Sequence, residues 1–537
     1  MSKWICSVWA VVFVVPFFPG AGCAQNNEED KLAKRLEPLA REYFRIGDYK
    51  RALEGYSLLD SIAPDNTDYN YRLGLCYLHS NFKSRAYPYL EFAYNQPDAP
   101  ANIFYELGQA YQLGDEFDKA IIFYESYKKQ IKYGPDADKR QDELMQIDRE
   151  IQMCRNGQRL VRSPLLNVSV INLGPAVNSQ YTDFAPLINA RENELIFTSK
   201  RPAANKKSDP LTGQYYESVF MCTRENGTWQ PAQYIPEPIF HYDVHDAAVG
   251  LSPDGNKLFL YRGGNNSFSS RIQGDIYEST LKKNQWSEPT PINEINSTGW
   301  ESHASIDSSG NVLVFTSDRD GGLGGTDIYI CRRKLNGEWS TPENIGGYIN
   351  TPFDEDGPFI HPDGNKLYFS SKGHNSMGGY DIFYSEYLPD KNRWSRPVNM
   401  GYPINTADDD IYFVWSADGE RAYFSSERED SYGDADIYML VRNDESIPVA
   451  EIAGQVTDKY EGTPVKAELS VRDLLSNHLI GVYDTDDQGK YNIKLKAGRK
   501  YTIIMRSPGY LETPTPLELK SSEQPFAITQ NLEIRKK

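Results

Sequence analysis

Five acidic residues recur at a regular place through the middle of this chain, and side chains that recur around a ring can be gathered about one point. Asp183, Asp246, Glu301, Glu355 and Asp410 each stand just before an apolar strand pattern, the last two inside Asp354-Glu355-Asp356 and Asp408-Asp409-Asp410. His245 and His303 lie beside the second and third of them. Carboxylates and imidazoles drawn together at a channel mouth could hold a cation, a basic peptide or a sugar. The same positions have a plainer use, which is to hydrogen-bond the loops between repeated units. Glycosidases built on such repeats work with channel carboxylates, but they need those carboxylates in different environments, and these five look interchangeable. The chain has no Gly-x-Ser-x-Gly elbow, no His-Glu-x-x-His, no phosphate loop and no Cys/His cluster of metal-binding spacing, and its seven histidines are scattered. The expectation is a non-enzymatic protein with no catalytic residue, no cofactor and no metal.

The elements that must position the acids form a repeat of about 55 residues. Gly255, Gly310, Gly364 and Gly419 each mark a turn before an alternating strand, and Asn193 marks the first, least regular copy. A strand of the Asp-Ile-Tyr type follows, at Asp275, Asp327, Asp381 and Asp436, where the Asp suits a turn-capping role. A Trp then opens a fourth strand, at Trp229, Trp286, Trp339 and Trp394, the last three followed by Ser-x-Pro. A four-stranded unit that cannot bury both faces alone is a propeller blade, and blades must close into a ring. The fifth copy lacks its Trp strand and would leave an open edge. Leu166 to Gly174 resembles the fourth-strand exits Glu343-Asn344-Ile345-Gly346 and Val398-Asn399-Met400-Gly401. It is therefore predicted to cross back and complete the last blade. Residues 160–443 read as an all-β five-bladed propeller closed by strand 166–173. The turns Ser252-Pro253-Asp254-Gly255-Asn256-Lys257-Leu258 and His361-Pro362-Asp363-Gly364-Asn365-Lys366-Leu367 resemble those of TolB-like and WD-repeat-like propellers.

On the N-terminal side, residues 30–157 repeat every 34 positions: Tyr43, Tyr77 and Tyr111; Ala40, Gly74 and Gly108; Ala52, Ala86 and Ala120. Small residues where antiparallel helices touch, with aromatics beside them, are landmarks of tetratricopeptide repeats. Three repeats followed by a charged capping helix over 135–155 predict a partner-binding α-helical array, with no single residue assigned to binding. On the C-terminal side, residues 450–537 alternate with period two between glycine turns and predict a small β-sandwich with an extended edge at Pro514 and Pro516. The order Gly-x-Val, Pro-x-x-Ala, Gly-x-Tyr and Gly-Tyr within it resembles the carboxypeptidase regulatory-like domain, which implies stabilising or docking without catalysis.

Lys3 before an apolar run from Trp4 to Phe18 reads as an export signal over residues 1–24. Two cleavages are open, one after Ala24 and one before a lipidated Cys23. A net charge of −18 excludes nucleic acid as a partner. Cys76, Cys154, Cys222 and Cys331 fall in apolar settings and predict buried thiols, with Cys76–Cys154 the one pairing to test. The order of modules is similar to that of type IX secretion-associated envelope proteins of Bacteroidota. The resemblance implies an exported scaffold at the outer membrane, periplasmic rather than surface-facing, whose partners are envelope or secretion-system proteins. In that family an OmpA-like domain grips peptidoglycan. No such domain stands before Lys537 here, so membrane attachment would fall to Cys23 or to a partner.

Overall fold

The computed structural model describes residues 22–135, 137–203, 215–241, 244–264, 273–442, 448–474, 479–522 and 524–537. The expected signal segment before Gly22 lies outside them, and Cys23 is described only as part of the first helix. Seven α-helices come first: α1 Gly22–Arg45, α2 Tyr49–Ile62, α3 Thr67–Leu78, α4 Ala86–Tyr94, α5 Ile103–Leu113, α6 Phe117–Lys132 and α7 Gln141–Val161. They pair in hairpins because small residues sit at the crossings: a Cβ on Gly74 would lie 2.6 Å from Leu90, and one on Gly108 2.5 Å from Tyr124. α7 closes the array in the same way, with Gly157 against Phe117. Among the described residues, no helix is long and apolar enough to cross a membrane.

Five antiparallel sheets follow. Their first three strands run Asp183–Ile188, Glu194–Ser199 and Ser218–Glu225 in the first; His245–Leu251, Lys257–Gly264 and Gln273–Lys282 in the second; and Glu301–Ile306, Val312–Ser317 and Asp327–Arg332 in the third. In the fourth they are Glu355–Ile360, Lys366–Ser371 and Asp381–Leu388, and in the fifth Asp410–Trp415, Arg421–Ser426 and Asp436–Arg442. The fifth sheet's fourth strand comes from upstream: β1, Val168–Asn172, pairs antiparallel with Asp436–Arg442. First strands of successive sheets lie side by side, and that of the fifth packs against that of the first, so the sheets form a closed cycle. Main-chain bonds stitch the cycle, with the N–H of Asp246, Glu355, Asp410 and Asp183 donating to the carbonyls of Glu217, Thr326, Tyr380 and Ala435 in the preceding sheet. Apolar clusters fill the spaces between sheets; Phe315, Tyr329 and Ile276 belong to one, Phe369, Phe383 and Val314 to another.

The last module packs two sheets face to face. Thr513–Glu518, which carries Pro514 and Pro516, is an edge strand paired only with Lys500–Arg506, where missing N–H groups do no harm. Cys76, Cys154, Cys222 and Cys331 are buried free thiols. Cys76 lies among the first helices and Cys154 among the last, in separate apolar clusters, so the pairing marked for testing is not formed.

Candidate functional site

Each repeated acid stands first in the innermost strand of its sheet, or second in the case of Asp246, and each is fully buried. Asp183 accepts from the N–H and Oγ of Ser179 and from Arg201 Nη2. Glu301 accepts from Ser297, Ser317 Oγ and Arg319 Nη2 at 3.0 Å. Asp410 accepts from Thr406, Ser426 Oγ and Arg428 Nη2, also at 3.0 Å. Asp246 accepts from His241 N–H and Arg262 Nε. In every case the guanidinium also donates to a carbonyl of the incoming loop, at Val177, Ile239, Ile295 or Ile404. These are latches that fasten each loop to its own sheet. The expected ring of carboxylates around a channel mouth is corrected on this ground for Asp183, Asp246, Glu301 and Asp410, whose buried charges are already paired and hydrogen-bonded within their own sheets.

Glu355 departs from the pattern. It accepts from Thr351 and Ser371, but Gly373 stands where the first, third and fifth sheets carry arginine, and a Cβ there would meet Thr351 at 2.2 Å. His374 Nε2 takes over the carbonyl bond, to Ile349 O. Burial without a cation pushes the Glu355 carboxyl up to about 7. The freed loop serves another element: Arg149 of α7 donates to the carbonyls of Lys372, Gly373 and His374 and to Ser376 Oγ, and Asn156 donates to Ser376 O. Met377 of the same loop lies in the apolar cluster of α4–α7.

The side chains that differ from sheet to sheet lie one and two places after each acid. There the inner strands bulge, and Ala185, His303, Gly357 and Tyr412 take left-handed backbone angles, with φ of 53°, 34°, 58° and 63°. His303 stacks on Tyr412 with centroids 4.0 Å apart, and its Nδ1 lies 3.1 Å from Asp356 Oδ1 and 3.2 Å from Ser302 Oγ. Burial raises the Asp356 carboxyl, but His303 and the Gly357 N–H outweigh it and hold the group below the ordinary range. Asp356 places the ring proton on Nδ1, and Nε2, buried, has no partner among the described residues. His245 stands apart from this group; it lies 3.4 Å from Glu217 of the first sheet and edge-on to Tyr216. Asp356, Tyr412 and Ser302 were not among the sequence candidates. The signal available for them was variation against a constant acid.

The third-strand Asp does more than cap a turn. Asp327, Asp381 and Asp436 accept loop N–H groups and also the amide of an exit asparagine, Asn344, Asn399 or Asn172. Asn172 of β1 thus makes the same contact as the exits it resembles.

No protein-family model matches this chain, and no curated protein matches it. Among solved structures, a putative TolB from Agrobacterium tumefaciens is 14% identical, with a TM-score of 0.27, over 52% of this chain and 99% of that one. A 3-chlorocatechol 1,2-dioxygenase from Rhodococcus opacus 1CP is 15% identical, with a TM-score of 0.15, over 18% of this chain. The match spans 64% of that dioxygenase, just under two thirds of its length.

Proposed function

We propose that this chain is a non-catalytic protein-binding scaffold of the cell envelope, exported and associated with the outer membrane, whose five-sheet cycle is a five-bladed propeller. The observation that supports this reading best is the fourth sheet's loop, where the repeat gives up its arginine latch and receives Arg149 and Asn156 of α7 instead. A departure from the repeat used to hold two modules in fixed relation is the kind of feature a scaffold needs. Service to type IX secretion or envelope organisation is the role that the order of modules suggests. Photocrosslinkers at the exposed Leu58 and Ile122 of the helical array, introduced in producing cells, should give discrete adducts with envelope proteins, and palmitate labelling should mark Cys23. A protein that is soluble and free of adducts at every position would overturn the reading.

A second reading, a glycan-binding propeller, has one observation in its favour, the unpartnered His303 Nε2 beside the Tyr412 ring. Titration with cell-envelope polysaccharide separates the two. Binding that disappears in His303→Gln would favour the glycan reading, and no binding would remove it.

A further inference from the structure

The outer strand of the fifth sheet differs from those of the other sheets. In the first, second and fourth sheets it is two short pieces, such as Arg393–Trp394 and Val398–Asn399, and in the third it is reduced to Glu343–Asn344. In the second, third and fourth sheets a Ser-x-Pro element stands at the break: Ser287, Ser340 and Ser395 accept the N–H of Thr280, Arg332 and Glu386 on their hydroxyls, and a proline without an N–H follows, as Pro231 does in the first sheet. β1 carries neither feature and runs unbroken along its partner. Leu173 N–H donates to Ile437 O, and orientation alternates along an antiparallel pair. Ser169 and Ile171 therefore turn their main-chain groups to the sheet, while Val168, Val170 and Asn172 turn theirs outward.

That outward edge borders a cavity of about 580 Å³, whose lining includes the run from Val168 to Asn172, the cations Lys496, Arg499 and Arg472 of the C-terminal module with Asp473 beside them, and on other walls carboxylates such as Glu429 and Asp430. Lys496 Nζ donates to Val168 O at 2.8 Å and to Ser169 Oγ at 3.0 Å, and neither Lys496 nor Arg499 pairs with a carboxylate among the described residues. Burial, with Arg499 nearby, pulls the Lys496 amine down to about 8.

We infer that β1 is a strand-addition site for an extended peptide with acidic side chains, presented by a partner protein. The inference rests on the scaffold reading and names the kind of partner at one surface. An added strand lies about 4.8 Å from its neighbour and exchanges main-chain bonds with it. Its N–H groups take over Val168 O and its carbonyls receive Val170 N–H. The displaced Lys496 ammonium, with Arg499, then meets the peptide's carboxylates. In the unbound protein Lys496 covers an edge that would otherwise invite indiscriminate pairing.

The test uses the full chain and two capped, fluorescent peptides, one alternating Thr and Glu and the other alternating Thr and Lys. The Glu peptide should bind in the micromolar range and the Lys peptide at least about tenfold more weakly. Val170→Pro removes an outward N–H that the sheet does not use, and should lower affinity about tenfold at unchanged melting temperature. Lys496→Gln should act in the same direction. Bound Glu peptide should slow hydrogen exchange at the Val170 amide of the native chain, which keeps the proposal testable if Val170→Pro fails to fold. No binding at about 1 mM, equal affinity for both peptides, or an unchanged exchange rate at Val170 overturns it. Partner adducts that persist in Val170→Pro cells, with peptide binding absent, would sink this edge and leave the scaffold reading standing.

Discussion

A buried carboxylate needs a cation, a proton or enough hydrogen bonds, and the five repeated acids meet this need in two ways. Glu301 is fully buried against Arg319, which is 16% exposed. Arg319→Ala leaves that charge uncompensated and should lower unfolding free energy by about 3 kcal/mol in denaturant titration. Pairing it with Glu301→Gln should restore a large part of the loss. Glu355 relies on its proton. Its carboxyl titrates near 7 in the fold against an ordinary 4.5. Below pH 4.5 it is protonated folded and unfolded, and stability is unaffected. As pH rises towards 7 only the unfolded chain releases the proton, so stability falls, by roughly 3 kcal/mol in all. Glu355→Gln should flatten that slope, and its advantage over the native chain should grow between pH 5 and 8 in thermal melts. Spacing revealed that these acids recur, but not which way they face. The arginine eighteen residues after Asp183, Glu301 and Asp410 was countable, and it is the partner that turns an apparent binding ring into latches.

At the scale of elements, the repeats were legible because their constraints are local. Gly364 and Gly419 turn with φ of 74° and 71°, which only glycine adopts freely, so the turns stand out without an alignment. The return of β1 was legible for a similar reason, since Asn172 and Gly174 copy the exits at Asn344 and Asn399. The axial bulges were not legible, because a left-handed residue such as His303 or Tyr412 is imposed by neighbouring strands rather than by its own preference. The docking loop was hidden as well: Gly373 in place of an arginine looks like an ordinary substitution until α7 is beside it. Arg149→Ala should release the 372–377 loop while leaving the helices folded. Limited proteolysis would then cut within that loop, at a site protected in the native chain, with helical circular dichroism unchanged.

Besides the Arg149 loop and the apolar packing of Met377, Tyr402 and Ala407 on the helices, polar contacts around the cavity beside β1 join the modules, and the most charged of them is made by Lys83. Lys83, after α3, reaches both Asp408 and Glu427 at the entry to the fifth sheet, with side chains only 19%, 20% and 28% exposed. Burial alone would pull the lysine down, but the two carboxylates outweigh it and keep it charged. On the far side Arg506 of the C-terminal module bonds Glu116, before α6, and Asn81 adds an amide bond to Ser431 O. Lys83→Met removes the cation shared by two acids that also face Asp409, itself raised by burial and by Asp408. At neutral pH the repulsion left behind should push the array off the fifth sheet, seen as a larger radius of gyration in solution scattering and faster exchange over 81–85. Near pH 5 Glu427, which burial and then Asp408 push up to about 7, is protonated, the repulsion fades, and the variant should approach native dimensions. The native chain should move the opposite way, because protonation of Glu427 weakens its pair with Lys83. An interface held mainly by apolar burial would show neither trend, so the crossing of the two pH curves is the diagnostic result.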